Sequence, residues 1–330
     1  MITLAILIVL ELILIGYIIS RILRYQVAPN PTLRAATLTA ISLLVAMLSV
    51  TEPVELVLRG PDGMTVGLPT LLKHLGLLGC GAGVLLMALA QRQVQRAWTE
   101  LLVWAWFSLS AVAVIVLHVQ AGESELRTSV GFVVWSHTKP ELIAAMLIAY
   151  VGGLAASLGV FAVIWPLNLR AAAGRGLAIM AVGAFLSAVW CGLRIKYVLE
   201  AVQGTTPPDG GDFLVTQLLS LCGLLLLNIG LVWSTAEADF SALRHWRHFR
   251  VLNRRVIKVL PEVQRTSDYR LGVDAWIFDR AVEVLDGLHQ FEQFSSGPTG
   301  FPQAPETVGV GEVTKVVADV CRQYQGRNGS

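Results

Sequence analysis

Seven long apolar runs occupy the first 234 positions of the chain, at 2–20, 35–50, 68–90, 98–117, 142–165, 177–197 and 213–234. A helix needs roughly 20 apolar residues to cross a hydrocarbon core, and each run approaches or meets that length. The second, 16 residues long, is the shortest and is the one that could instead be re-entrant. No basic stretch precedes the first run and no small-residue cleavage site ends it, so it reads as a retained span rather than a signal peptide. Prolines fall at run ends and not in their interiors. There is no internal repeat, which argues against a transporter built on inverted repeats.

Beyond residue 234 the period becomes amphipathic. Leu243, Trp246, Phe249, Val256 and Leu260 recur at helical spacing among Arg244, Arg247, Arg250, Arg254, Arg255 and Lys258. This predicts a basic amphipathic helix over 244–258, ended or kinked by Pro261. In this reading Trp246 and Phe249 sit at the headgroup boundary and the basic residues meet anionic lipid. A second amphipathic helix is expected over 273–291, with Trp276, Ile277, Val284, Leu285, Leu288 and Phe291 on one face. A Ser/Gly/Pro linker follows at 296–308, then a short helix over about 310–324 on Val313, Val317, Val320 and Cys321. The predicted domains are a bundle at 1–235, two helices at 236–295, the linker, and a terminal segment at 309–330.

Charge gives the runs a direction. Arg21, Arg24 and Arg34 follow the first run, Arg92 and Arg96 the third, and Arg170 and Arg175 the fifth, with no acid in these loops. The intervening loops hold Glu52, Glu55 and Asp62, then Glu123 and Glu125, then Glu200, Asp209 and Asp212. Basic loops stay cytoplasmic, so the expected fold is an all-α polytopic membrane protein. It has seven transmembrane helices, an outside N-terminus, and a small helical tail in the cytoplasm. Composition agrees: 55% of residues are hydrophobic and 15% charged, against about a quarter charged in ordinary soluble domains. Cys80, Cys191 and Cys222 lie within runs and Cys321 in the tail, which predicts small apolar packers and no extracellular disulfide framework.

A few polar residues break the apolar pattern. Glu11 sits near the middle of the first span, where an ionisable group costs about 2.5–3.5 kcal/mol on insertion scales. It is expected to face the bundle interior. Lys73, His74, His118, Tyr150, Arg194 and Lys196 concentrate in the outer half of the predicted bundle. They suggest a water-accessible or ligand-binding cavity, with Glu11 facing Arg194 or Lys196. The alternative is a structural ion pair with basic side chains snorkelling to the interface. Trp98, Trp165 and Trp233 read as interfacial anchors, and Trp104, Trp106 and Trp190 as packing residues. Small residues at Gly76, Gly79 and Gly83, and at Gly152, Ala156 and Gly159, mark close helix contacts within the bundle or between copies.

No metalloprotease, nucleophile-elbow, phosphate-loop or dinucleotide motif is present. No catalytic residue, metal or cofactor is therefore expected. The expected partners are the bilayer, anionic lipid at its cytoplasmic face, a cytoplasmic protein bound through 236–330, and a second copy of the chain. Nucleic acid is not expected.

The stretch Arg244-His245-Trp246-Arg247, with Leu260-Pro261-Glu262 and then Phe278-Asp279-Arg280-Ala281-Val282-Glu283-Val284-Leu285-Asp286-Gly287, resembles actinobacterial seven-helix integral membrane proteins with a C-terminal domain of unknown function. In those proteins a tryptophan-bearing basic helix ends in Pro-Glu, and a later helix reads like Tyr-Arg-Arg-Val-Ile-Glu-Ile-Arg-Asp-Gly. This chain departs at Phe278-Asp279 and Val284-Leu285, where the family is more basic. The family is labelled as transporters or regulatory membrane proteins, which implies a bacterial cytoplasmic membrane location. The expected function is a sensor that couples the outer-half cavity to the helical tail. The alternatives are a small-solute or ion transporter, and a membrane scaffold acting through its tail.

Overall fold

A computed structural model of the chain describes residues 2–27, 29–49, 54, 67–91, 97–121, 139–164, 169, 172–203, 210–266 and 272–295. No strand occurs among them. The helices are α1 (Ile2–Val27), α2 (Pro31–Leu48), α3 (Gly67–Gln91), α4 (Ala97–Ala121), α5 (Pro140–Ile164), α6 (Ala172–Val202), α7 (Gly210–Val259) and α8 (Val273–Ser295), with a 3-10 turn at Pro261–Val263. Six of them, α2 to α7, are long and apolar enough to cross a membrane. The protein is therefore an all-helical, multi-pass membrane protein. The expected linker and final helix, at 296–330, lie outside the described residues.

Two boundaries differ from the sequence expectation. Helix α2 begins at Pro31 rather than at 35. Asn30 caps it by accepting a hydrogen bond from the Thr32 amide at 2.8 Å, and Pro31 occupies a first-turn position where no amide hydrogen is needed. The seventh run and the basic helix are one element, since no glycine or proline separates Ser234 from Arg244. Pro261 ends it as expected.

The chain divides into two compact units, residues 1–25 with 29–234, and 26–28 with 235–330. In the first, small residues set the helix spacing. A β-carbon at Gly76 would lie 2.7 Å from the Ser42 carbonyl oxygen and 2.8 Å from the Ala46 nitrogen, and one at Gly83 would lie 2.8 Å from the Thr39 nitrogen. Gly79 faces the Ser42 side chain. Gly76, Gly79 and Gly83 thus let α3 pack directly on the α2 backbone. Gly152 faces Leu78 and Trp106, Ala156 faces Gly81, and Gly159 makes an ordinary contact with Leu85. Around these contacts lies a core to which α1 contributes Leu10, Leu14, Tyr17 and Ile18.

Most hydroxyls in this core are satisfied on their own helix. Thr39 donates to the Ala35 carbonyl, Ser157 to Gly153 and Ser187 to Gly183, each at 2.9 Å. Asn228 on α7 donates to the Leu224 carbonyl at 3.0 Å and approaches the Met47 sulfur of α2 at 3.4 Å. Arg34, in the first turn of α2, pairs with Glu100, in the first turn of α4. Trp104 Nε1 donates to the same carboxylate at 3.4 Å. The starts of α2 and α4 therefore share one end of the bundle.

The second unit is a small helical core in which Phe249, Leu252, Val256 and Leu260 pack on Val263, Ile277, Ala281 and Val284. This corrects the expected placement of Trp246 and Phe249 at the headgroup boundary. Phe249 is 1% exposed, and Trp246 packs edge-on against Phe249 at 5.2 Å and against Trp276 at 4.9 Å. The apolar face of the basic helix is occupied by α8. Its basic face is not: Arg244, Arg247, Arg250, Arg254, Arg255 and Lys258 are all exposed.

Candidate functional site: a polar cluster inside the bundle

Antiparallel helices bring the start of one beside the end of the next. Lys73 and His74 lie near the start of α3, His118 near the end of α4, Tyr150 in the first half of α5, and Trp190 and Arg194 in the second half of α6. These six residues meet at the end of the bundle opposite the Arg34–Glu100 pair. His74, 1% exposed, stands edge-on to His118 at 5.7 Å and to Tyr150 at 5.4 Å between ring centres. Tyr150 in turn stands edge-on to Trp190 at 5.4 Å. Two cations use the Trp190 ring: the Lys73 ammonium lies 5.3 Å from its centre and the Arg194 guanidinium 5.7 Å.

The hydrogen-bonding of this cluster is incomplete. Four of the seven buried polar atoms that have no hydrogen-bond partner among the described residues belong to it: His74 Nδ1, His118 Nε2, Trp190 Nε1 and Arg194 Nε. Buried polar atoms in native proteins are nearly always paired, so four gathered in one place mark an environment completed by something else. Their roles can be sorted. An indole or guanidinium nitrogen only donates. His118 Nδ1 lies 2.9 Å from the Val114 carbonyl oxygen, which only accepts. In the neutral ring His118 Nδ1 therefore carries the hydrogen, and Nε2 is left as an acceptor. His74 Nδ1 takes either role.

Five of the sequence-predicted residues thus come together: Lys73, His74, His118, Tyr150 and Arg194. Trp190, expected only to pack, is at the centre of the group. Its signal in the sequence is its position one turn before Arg194, which lets the guanidinium lie over the indole. Two predicted members are not among the described contacts of the cluster. Lys196 is exposed and pairs with Glu200 at 3.6 Å, one turn along α6. Glu11 is buried at 7% exposure on α1, with interactions of its own, while the described contacts of the cluster come from α3 to α6. No group of three or more metal-ligating side chains occurs among the described residues.

The second unit holds a polar site that the sequence pattern concealed. Glu283 is fully buried. It accepts from Asn253 Nδ2 at 2.9 Å, from the Arg265 backbone amide at 2.7 Å, and from Arg280. Asn253 also donates to the Arg280 carbonyl at 3.2 Å, and Arg265 pairs with Asp286 at 2.9 Å. A β-carbon at Gly287 would run into Val256. Arg280, Glu283 and Gly287 thus fasten α8 to α7, and Asp286 ties it to Arg265. Comparison with models of known families, with curated proteins and with solved structures finds no match for this chain.

Proposed function

We propose that the protein is a non-enzymatic, seven-span sensor of the bacterial cytoplasmic membrane. In this reading α1 is the seventh span, supported by its 26 residues and its four core contributions. The arginine-bearing loops support an outside N-terminus and a cytoplasmic tail, and in that orientation the polar cluster occupies the outer half of the bundle. The convergence of four unpartnered buried polar atoms on one cluster carries the proposal. Such a site is costly to keep unless a ligand or ordered water completes it. The tail is its output, joined to the bundle through α7. Its exposed basic residues favour anionic headgroups.

The test is hydrogen exchange on the full-length protein in nanodiscs, comparing the unaltered chain with Arg194→Gln. A change in exchange across α8 is expected. An unchanged tail rules out coupling between the two units. Ion or solute flux in proteoliposomes that is lost with Arg194→Gln would instead support the transporter reading.

A further inference from the structure

We infer that the cluster binds a small anion, either an inorganic ion or the carboxylate of a compact organic acid. This rests on the reading of the cluster as a ligand site. Trp190 is 5% exposed and His74 1%, and each carries a buried polar atom without a hydrogen-bond partner among the described residues. Of the four unpartnered atoms, Trp190 Nε1 and Arg194 Nε can only donate, and His74 Nδ1 is free to donate. Lys73 and Arg194 both bring positive charge near the same indole. None of the six residues named is itself acidic. Donors and cations gathered in a buried place suit a negatively charged acceptor and repel a metal ion. The single acceptor, His118 Nε2, suits a ligand that also carries a hydroxyl or a bound water.

Size follows from the surroundings. Deeper in the bundle, Leu77, Gly153, Ser157 and Ser187 are among the residues lining a cavity of about 40 Å³, and none of the six cluster residues lines it. A water needs roughly 10–15 Å³ of such space, so that cavity holds no more than a few waters, and the ring contacts of His74 with His118 and Tyr150, and of Tyr150 with Trp190, favour a compact ligand over a large one.

The test uses the full-length protein in nanodiscs, titrated with sodium chloride, nitrate, formate and acetate at ionic strength matched with sodium gluconate. Hydrogen exchange over 71–78 and 187–197 is the readout. Saturable protection is expected, and chloride and nitrate against formate and acetate distinguish an inorganic from an organic ligand. Trp190→Phe and Arg194→Lys each retain bulk or charge while removing a donor, and each should weaken the apparent affinity at least about tenfold. Arg34→Gln, at the other end of the bundle, should leave it unchanged. Saturable protection that is equal in all variants overturns the assignment, as does a lack of response to all four anions, which would mean that the polar atoms are only hydrated. The sensor reading has its own readout. If α8 responds to Arg194→Gln but no anion binds, only the ligand class falls. If anions bind and α8 never responds, the site stands and the sensing falls.

Discussion

Replacing Glu283 by alanine should unfold the tail while leaving the bundle intact. The carboxylate is fully buried and serves three donors: Asn253, the Arg265 amide and the Arg280 guanidinium, whose side chain is only 13% exposed. Removing one member of a buried charge pair costs about 3–5 kcal/mol, because the remaining charge is left without a partner. A small helical core without disulfides rarely holds more than about 3–5 kcal/mol in total. The core around Phe249 and Ile277 is of that kind, so the loss equals its whole stability. Glu283→Gln keeps the volume but exchanges one acceptor for a donor, and should cost about 1–3 kcal/mol. Arg265→Ala provides the contrast. It deletes an ion pair with Asp286 whose side chains are about half exposed, worth roughly 0–1 kcal/mol, and retains the backbone amide that Glu283 uses. Hydrogen exchange of α8 in the full-length protein reads all three. Exchange should accelerate by about 10²–10⁴ in Glu283→Ala, by an intermediate factor in Glu283→Gln, and by less than tenfold in Arg265→Ala. If Glu283→Ala accelerates exchange no more than Arg265→Ala does, the carboxylate is not what joins α7 to α8.

Gly83→Ala should destabilise the bundle by about 1–3 kcal/mol, since the new methyl meets α2 backbone. Gly192→Ala, with nothing within 4 Å, should be neutral or stabilising by up to about 1 kcal/mol; unfolding in detergent compares the two. Cysteines introduced at Glu123 and Arg96 should be labelled by an impermeant maleimide from outside and only after permeabilisation, respectively, and the reverse pattern would invert the proposed topology. Lys258 should react more slowly with an amine reagent in nanodiscs of anionic lipid than in zwitterionic ones; equal rates would mean that the basic face does not touch headgroups.

Helix existence was legible because long apolar runs dominate the chain, but two kinds of information were not. The start of α2 lies in a polar turn whose helicity depends on the Asn30 cap, which a count of apolar residues passes over. The continuity of α7 follows from the absence of a breaker between Ser234 and Arg244, a weaker cue than the change from apolar to basic composition. In the candidate site, the depth of each polar residue along its helix identified Lys73, His74, His118, Tyr150 and Arg194. Depth alone does not give azimuth, so it could not exclude Lys196, which turns outwards to Glu200, or include Trp190, whose ring looked like packing. Glu283 was missed for a different reason. Its burial depends on donors from Asn253, from Arg280 and from the backbone at Arg265, and a charged residue beside Val284 otherwise reads as the solvent side of a helix.

The contact between α2 and α3 also constrains how this sequence can drift. The glycines of α3 have no room to grow, whereas Thr39, Ser42 and Ala46 of α2 can all become smaller without a clash. Tolerance across the interface is therefore one-sided. A substitution such as Gly83→Ala should be rescued only by a backbone shift of α2, because two of its closest approaches are to Thr39 main-chain atoms. At Gly79 the obstacle is the Ser42 side chain, so Gly79→Ala should be rescued by Ser42→Gly. Among related sequences, positions 79 and 42 would then be free to change as a pair, while position 83 stays fixed.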